Sequence, residues 1–388
     1  MNDFEFSLPT KIVFGKNAET RAGEMARAIG KRAMILYGSD RVIQSGLMEV
    51  LTQSLTKSGV EYTMYGGISQ NPYISSTLSA ARKARQFNAD MILAVGGGSV
   101  IDAAKAAALG YFAGEKLWDI YEGREKAVQA LPVGVVLTFA ATASEANGVS
   151  VLRNDKTGKK AALTCLLTCP AFALMNPELT FSVPPKQTAI GAVDAFSHAF
   201  ERYFHKGQQG TLRNYMCEGA MKTIIRELPR ALKTPDCYEA RSQLMWTATV
   251  AHSDMLGKDG VYVCHAMSHI LTAAFGMADG MALGVLMPAW CKYVMIRHPQ
   301  DIAGFARNVW GVDGDGQDAV NTAQEGIFRF QQFICNSGLP VTLREAGITS
   351  ADSLTLAQSL MPEDGFIGEN YEKFDQKDVQ AMFDLAIG

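Results

Sequence analysis

Two patterns of apolar and polar residues alternate through the first half of the chain. Short apolar runs at 33–38 (AMILYG), 91–98 (MILAVGGG) and 131–140 (LPVGVVLTFA) predict strands. Segments 45–59 and 74–88 place their apolar residues on one face and predict helices. Continuous apolar strands separated by amphipathic helices indicate a parallel sheet covered on both faces.

The pattern changes after SVPPKQ (182–187), where two prolines suit the start of a helix. Long helical patterns follow, and few alternating β-branched runs interrupt them; they occupy 187–205, 210–233, 237–256, 262–275, 281–297, 300–310 and 317–337. A chain of 388 residues also exceeds one ordinary core. We therefore predict an α/β dinucleotide-binding domain over 1–185 and an all-helical metal-binding domain over 186–388.

Composition and charge argue against several classes of protein. The net charge of −3 provides no strong positive field for phosphates, which argues against a nucleic-acid binder. The N-terminal MNDFEFSLPTKIVFG does not resemble a signal peptide, and no apolar run is long enough to span a membrane. The seven cysteines are irregularly spaced without a C-x-x-C motif, so we expect reduced thiols in a cytoplasmic protein.

A glycine turn follows one predicted strand in AVGGGSVID (94–102). Three adjacent glycines, Gly96–Gly98, permit a close backbone approach, and the start of the next helix can bind an anion such as a pyrophosphate. The alternative is a tight turn with Ser99 as the N-cap. Asp102 is either an acid that stabilises the helix dipole or a contact to a cofactor amide or ribose.

Two other polar stretches follow strands. Thr138 and Thr142 lie in LTFAATASEAN (137–147), at the strand end where open α/β sheets bind ligands, although a plain polar loop has the same pattern. In YGSDRV (37–42), Ser39 and Arg41 suit a ribose 2′-phosphate, whereas Asp40 opposes one. A plain turn is the alternative there.

Acidic and histidine residues form two pairs spaced four apart, Asp194/His198 in GAVDAFSHAFE (191–201) and His265/His269. Residues at this spacing share a helix face, so each pair can point at one divalent metal. The alternatives are a buried Asp–His hydrogen bond and a surface histidine pair. Asp279 is either the N-cap of a helix beginning near Met281 or a fourth ligand.

The order of these motifs, GGGSVID, TxxxTxSE, NPELTFSVPP, DAxxHxxE and HxxxH, closely resembles the iron-containing (group III) metal-dependent alcohol dehydrogenases. The similarity is strongest to the branch of NADPH-dependent aldehyde reductases and butanol dehydrogenases, and it extends over essentially the whole chain. It implies a dehydroquinate synthase-like architecture with a cleft between two domains. It also implies a homodimer formed through an N-terminal strand at residues 3–15.

The resemblance implies a role for each matching position. The residues implied to bind the nicotinamide cofactor are Ser39, Gly97, Gly98, Ser99, Asp102, Thr138, Thr142 and Lys160. The implied metal ligands are Asp194, His198, His265 and Asp279, and His269 matches a histidine near the substrate. Ser39 replaces an acid common in NAD-preferring members, which favours NADP(H) over NAD(H).

The sequence departs from the family at two places. Asp279 stands where the family has a histidine ligand, so the site would hold iron or zinc with two carboxylates and two imidazoles. Ala141 and Ala143 replace glycines in the threonine loop.

The resemblance implies hydride transfer between NAD(P)H and an aldehyde or primary alcohol. Apolar stretches around the metal site (AFSHAF, ILTAAF and MALGVLM) favour a small, fairly apolar substrate. The alternatives are an enzyme of the dehydroquinate synthase or glycerol dehydrogenase type and a metal-free nucleotide-binding protein.

Overall fold

The computed structural model describes residues 5–206, 210–313, 318–361 and 365–388. The chain divides into two compact units between Ser182 and Val183. The first unit is built on a six-stranded sheet with the strand order β1-β8-β5-β4-β2-β3, and every pairing in it is parallel. The prediction of a parallel sheet is confirmed.

Strands and helices alternate through residues 32–137 of the first unit, as the sequence pattern predicts. The strands are β1 (Lys11–Phe14), β2 (Arg32–Tyr37), β3 (Glu61–Tyr65), β4 (Met91–Gly96), β5 (Val133–Leu137), β6 (Val149–Arg153), β7 (Lys160–Thr164) and β8 (Phe172–Met175). The helices are α1 (Ala22–Arg27), α2 (Arg41–Gln44), α3 (Leu47–Lys57), α4 (Ile74–Gln86), α5 (Gly98–Ala113) and α6 (Leu117–Tyr121). Short 3-10 turns occupy Ala18–Arg21, Gly114–Lys116, Leu166–Thr168 and Pro177–Thr180.

The centre of the sheet is the most apolar part of this unit. Every residue of β4 and β5 is buried, which explains their continuous apolar sequences. The apolar face of α3, including Leu51 and Leu55, packs into the same core as Ile35 and Leu93 of the sheet. Burial of this face explains why the helical pattern over 45–59 is so regular.

The winding of the sheet reverses beside its central strand. The chain passes from β2 to β3 on one side of β4, and from β4 to β5 on the other side. In open α/β sheets, ligands bind outside the carboxyl ends of the strands at such a reversal. The segments that follow β2, β4 and β5 are therefore the expected ligand-binding edge.

A small antiparallel pair of strands, β6 and β7, lies outside the main sheet. The sequence analysis did not predict it, because the alternation of apolar and polar residues in these strands is weak. The charged sequence NDKTGKK (154–160) connects the two strands and includes the first residue of β7. The strand β8 was also not predicted, because its four residues are too few for a clear periodic pattern. The edge strand β1 lies within the N-terminal strand at residues 3–15 that the resemblance implies.

The second unit consists of helices in its described residues. They are α7 (Pro185–Tyr203), α8 (Leu212–Lys233), α9 (Tyr238–Ala251), α10 (Val263–Phe275), α11 (Asp279–Val294), α12 (Pro299–Trp310), α13 (Ala319–Asn336), α14 (Ser353–Leu360) and α15 (Gln376–Ile387). The sequence analysis did not predict α14 and α15. The first residue of the predicted helix 317–337 lies outside the described residues. In the described part of the chain, no helix combines the length and apolarity required to cross a membrane.

Helix α7 is the central element of this unit. All of its residues from Thr188 to Tyr203 are buried. One side packs in an aromatic cluster, where Phe196 and Phe200 lie 5.1 and 5.9 Å from the ring of Phe330. A helix enclosed on all sides must also bury its polar residues, so those residues need specific partners.

Candidate functional site

The glycine turn connects β4 to α5 directly. Helix α5 begins at Gly98 with Gly97 as its N-cap, so the interpretation of Ser99 as the N-cap is wrong. None of the three glycines has a positive φ, so left-handed backbone is not the reason for them. A Cβ added at Gly98 would lie 2.7 Å from Thr142 Oγ1, so glycine is required for close packing there.

Three predicted cofactor-binding segments lie side by side at the carboxyl edge of the sheet. Ser39 follows β2, the glycine turn follows β4, and Thr138 follows β5, which are neighbouring strands. The Thr138 amide donates a hydrogen bond to the Gly96 carbonyl at 3.0 Å. The structure therefore brings Thr138 and Thr142 to the glycine turn, and it places Ser39 beyond the adjacent strand.

The loop after β5 contains a strained residue. Ala143 has a φ of 50° and is fully buried. A non-glycine residue in this left-handed conformation costs about 1–2 kcal/mol. This strain explains why the family has glycine at this position, where the sequence analysis noted only that Ala143 replaces it.

Asp102 is the fifth residue of α5 and lies beyond the first turn, so the interpretation as a dipole-stabilising acid is wrong. Its carboxylate accepts hydrogen bonds from Ser144 Oγ at 2.6 Å and from the Val151 amide at 3.1 Å. Burial raises the pKa of Asp102, and the nearby cations Lys105 and Lys160 oppose this effect. Lys160 is the first residue of β7 and is partly exposed.

Lys105 is a buried cation that the sequence analysis missed. Its side chain is 0% exposed, and Nζ donates to Ser144 Oγ at 2.9 Å, Asn147 Oδ1 at 3.2 Å and the Val149 carbonyl at 2.7 Å. Burial lowers the pKa of its ammonium group to about 8. The available signal was a single lysine among alanines in SVIDAAKAAALG.

A candidate metal site lies in the helical unit. Asp194 and His198 on α7 and His265 on α10 offer ligand atoms that all lie within 4.8 Å of one another. Asp194 Oδ1 is 3.6 Å from His198 Nε2. The structure thus brings together three of the four predicted ligands, from two helices that are distant in sequence.

The chemistry of these side chains fits a divalent metal. Burial, together with the neighbouring His252, His265 and Arg202, lowers the pKa of His198 well below its usual value, so the imidazole is neutral. His198 Nδ1 is buried and has no hydrogen-bond partner among the described residues. A neutral imidazole beside a carboxylate and a second histidine is a typical donor set for zinc or iron.

Glu201 orients one of the candidate ligands. It is fully buried, and its Oε1 accepts hydrogen bonds from the Cys264 amide at 2.7 Å and the His265 amide at 3.3 Å. Its Oε2 accepts a hydrogen bond from His265 Nδ1. This bond leaves His265 Nε2 available to a metal, an arrangement common around metal-binding histidines. The sequence showed Glu201 only as the last residue of DAFSHAFE, without a partner.

Asp279 is the first residue of α11, and Ala278 is the N-cap, so the interpretation of Asp279 as the N-cap is wrong. Its Oδ1 accepts a hydrogen bond from Thr272 Oγ1 at 2.7 Å. Burial lowers the pKa of His265, but nearby negative charges raise it by more, so the pKa is raised overall. Glu201 makes the largest contribution to this increase, and Asp279 makes a smaller one. Asp279 is therefore close to the site, but among the described residues the 4.8 Å ligand group consists of the other three.

Two further histidines lie near this group. His269 is on α10, one turn after His265, and is partly exposed. His252 follows the end of α9, and its ring centroid is 3.8 Å from that of His198. The sequence analysis assigned no role to His252, because it has no acidic or histidine partner four residues away.

A family model described as iron-containing alcohol dehydrogenase matches residues 9–177, and its C-terminal counterpart matches residues 188–387. The chain belongs to the iron-containing alcohol dehydrogenase family. The predicted family is thus confirmed, as is the prediction of an oxidoreductase that acts on CH–OH groups.

Individual relatives cover the whole length of the chain. It is 32% identical to NADH-dependent butanol dehydrogenase A of Clostridium acetobutylicum, over 99% of both proteins. It is 32% identical to the NADPH-dependent aldehyde reductase YqhD of Escherichia coli, over 96% of both. The crystal structure of butanol dehydrogenase A from Thermotoga maritima matches with a TM-score of 0.93 at 33% identity, covering 100% of this chain and 99% of that one. These similarities favour the alcohol dehydrogenase or aldehyde reductase prediction over the alternatives.

Proposed function

We propose that the protein transfers hydride between NAD(P)H and a small, fairly apolar aldehyde or primary alcohol, with one divalent metal, iron or zinc. The observation that carries this proposal is the group of Asp194, His198 and His265, of which the first two are buried, in a member of the family. Relatives named butanol dehydrogenase and aldehyde reductase support the substrate class.

Asp194, His198 and His265 would hold the metal, and we assign Asp279 as the fourth ligand after rotation away from Thr272. When bound, the metal supplies Lewis-acid polarisation of the substrate oxygen. Glu201 keeps the lone pair of His265 Nε2 directed at the site through its hydrogen bond to Nδ1.

We assign proton delivery to the imidazole of His269. Two carboxylates among four ligands favour iron over zinc.

For the cofactor, we propose binding at the carboxyl edge of the parallel sheet. The pyrophosphate would lie at Gly97, Gly98 and Ser99, where the free amides at the start of α5 favour an anion. Thr138 and Thr142 would contact the nicotinamide half, with Lys160 at its ribose. Asp102 would contribute through the loop that it holds in place.

NADP(H) is proposed over NAD(H) because Ser39 and Arg41, which follow β2, are both exposed. Neither side chain is an acid that would repel a 2′-phosphate. The relatives include both NADH- and NADPH-dependent enzymes. Asp40, which is also exposed, is the residue that opposes this preference.

A homodimer in the cytoplasm is also proposed. Strand β1 lies at the edge of the sheet and pairs with β8, so its other edge is the surface available to a second copy. Residues 3 and 4 of the predicted dimer segment lie outside the described residues. None of the seven cysteines, all within the described residues, forms a disulfide, which suits a reducing compartment.

Gly98→Ala tests the proposed pyrophosphate site. The added methyl group would meet Thr142 Oγ1 at 2.7 Å, so the loop must move away from the turn. Overpacking of this kind costs about 1–3 kcal/mol, and we expect NADPH to bind about 5- to 160-fold more weakly in a fluorescence titration. Gly304→Ala is the matched control, because nothing lies within 4 Å of its added methyl group. Unchanged NADPH affinity in Gly98→Ala would argue against this position for the cofactor.

Ser39→Asp tests the cofactor preference. A carboxylate here would repel the 2′-phosphate of NADPH but not the hydroxyl of NADH. About 1 kcal/mol of repulsion across water predicts a KM for NADPH at least about fivefold higher, with the KM for NADH little changed. Ser45→Asp, in the turn after α2, controls for the added charge. An equal change in both KM values would show that Ser39 does not face the 2′-position.

The proposed activity itself is tested with butanal and NADPH or NADH, using protein loaded with Fe(II) or Zn(II) under anaerobic conditions. We expect metal-dependent oxidation of the cofactor and faster turnover of butanal than of glyceraldehyde, because the flanking residues are apolar. Turnover that does not depend on metal would contradict the proposed function.

A further inference from the structure

Lys105 has no role in the proposed chemistry, yet it is a fully buried cation. It lies in α5 among buried alanines, and every residue from Ala103 to Gly110 is buried. An unbranched apolar side chain would occupy the same volume without the cost of removing a charge from water. Packing alone therefore does not explain the lysine, and its hydrogen-bond partners indicate what it does.

All three acceptors of Lys105 lie after β5, two in the loop that leads to β6 and one at the first residue of β6. They are Ser144 Oγ at 2.9 Å, Asn147 Oδ1 at 3.2 Å and the carbonyl oxygen of Val149 at 2.7 Å. One turn earlier on α5, Asp102 accepts a hydrogen bond from Ser144 Oγ at 2.6 Å. Ser144 is therefore held by an acceptor and a donor from the same helix.

This network fixes the loop that contains Thr142. Asn147 Nδ2 donates to the Thr142 carbonyl at 3.1 Å, and Thr142 in turn packs closely on Gly98. The helix thus contacts the loop at its first residue, through Gly98, and again about two turns later through Lys105. These contacts hold Thr142 against the glycine turn, although Ala143 adopts a strained left-handed conformation.

We propose that Lys105 is a positioning residue for cofactor binding: by fixing Ser144, Asn147 and Val149, it holds the Thr138–Thr142 loop in the shape that binds the nicotinamide half of the cofactor. This inference rests on the proposed function. In the proposed function, the pyrophosphate half would be bound by backbone amides of α5 itself, which do not belong to the loop. Loss of the network is therefore expected to weaken binding of the whole cofactor more than binding of its ADP-ribose part.

The experiment compares Ser144→Ala and Lys105→Met with the wild-type protein. For each, we would titrate the preferred reduced cofactor and the matching fragment without nicotinamide, which is ADP-ribose for NADH and 2′-phospho-ADP-ribose for NADPH. We expect the whole cofactor to bind about 5- to 10-fold more weakly in Ser144→Ala and about 10- to 100-fold more weakly in Lys105→Met. Fragment affinity should change by less than about twofold in both variants.

Ser54→Ala is the matched control. Ser54 Oγ also accepts one hydrogen bond, from the Gly23 amide at 2.9 Å, and donates one, to the Thr20 carbonyl at 2.6 Å, on helix α3. It should alter neither affinity. If Lys105→Met does not fold, Ser144→Ala still decides, because it removes no charge.

Equal weakening of the cofactor and its fragment would overturn the inference, since it would indicate general damage to the unit. Unchanged cofactor affinity in Ser144→Ala would also overturn it. These results differ from failure of the proposed function, which would appear as absence of cofactor binding in the wild-type protein and would remove the basis of the inference as well.

Discussion

His265→Ala is expected to abolish metal binding at stoichiometric concentrations and to reduce aldehyde reduction by at least about 100-fold. The substitution removes one of three candidate ligands whose donor atoms lie within 4.8 Å of one another. Loss of a residue that only orients a ligand typically costs 10- to 100-fold in metal affinity, so loss of a ligand should cost more than about 100-fold. Metal titration and steady-state rates on the same preparations measure both effects.

The matched control for this variant is His298→Ala. His298 is also in the helical unit and also pairs with a glutamate, because its Nε2 lies 3.1 Å from Glu372 Oε2. Loss of a histidine–glutamate contact is thus common to both variants, whereas only His265 belongs to the candidate site. Full metal content and full activity in His265→Ala would show that the reaction does not use this site.

Glu201→Gln is expected to weaken metal binding by about 10- to 100-fold while leaving the fold intact. Glutamine has nearly the same volume and can still accept the hydrogen bond from the Cys264 amide, which is 2.7 Å from Glu201 Oε1. Its amide NH2 would then face His265 Nδ1 as a donor. The ring proton would move to Nε2 and block the lone pair that a metal needs. A competition titration with a chelator, using Fe(II) or Zn(II), measures the affinity directly.

Glu218→Gln provides the control for this second variant. Glu218 is a buried glutamate in the same unit, and its Oε1 accepts a hydrogen bond from Asn308 Nδ2 at 3.0 Å. A glutamine oxygen can retain that contact, so metal affinity should be unchanged. If Glu201→Gln binds metal as tightly as the wild-type protein, then the tautomer of His265 is not set by Glu201.

The positions of three candidate ligands could be predicted because helical spacing is a local property. Asp194 and His198 lie one turn apart in an apolar run, and burial of α7 on all sides requires that they have partners. The pairing of this helix with His265 came from resemblance rather than spacing. Contacts between helices depend on tertiary packing, for which the chain has no local pattern.

The same reason explains what the sequence analysis missed. Three residues were missed because each contacts a partner at least 39 positions away in the sequence; they are Glu201, Lys105 and His252. No neighbouring residue in the sequence indicates these partners. The helices that were predicted begin within about two residues of their predicted starts, which is the usual precision of such boundaries. That uncertainty was enough to misplace the N-caps at Ser99 and Asp279.

The central claim is that Asp194, His198 and His265 form a metal site that survives the replacement of the family's fourth ligand, a histidine, by Asp279. The most direct test is elemental analysis of the wild-type protein purified without oxygen or chelators. We predict about one equivalent of iron or zinc per chain, and loss of that metal in His265→Ala. Absence of bound metal, even after incubation with each ion, would contradict the claim and would leave a nucleotide-binding protein without a metal.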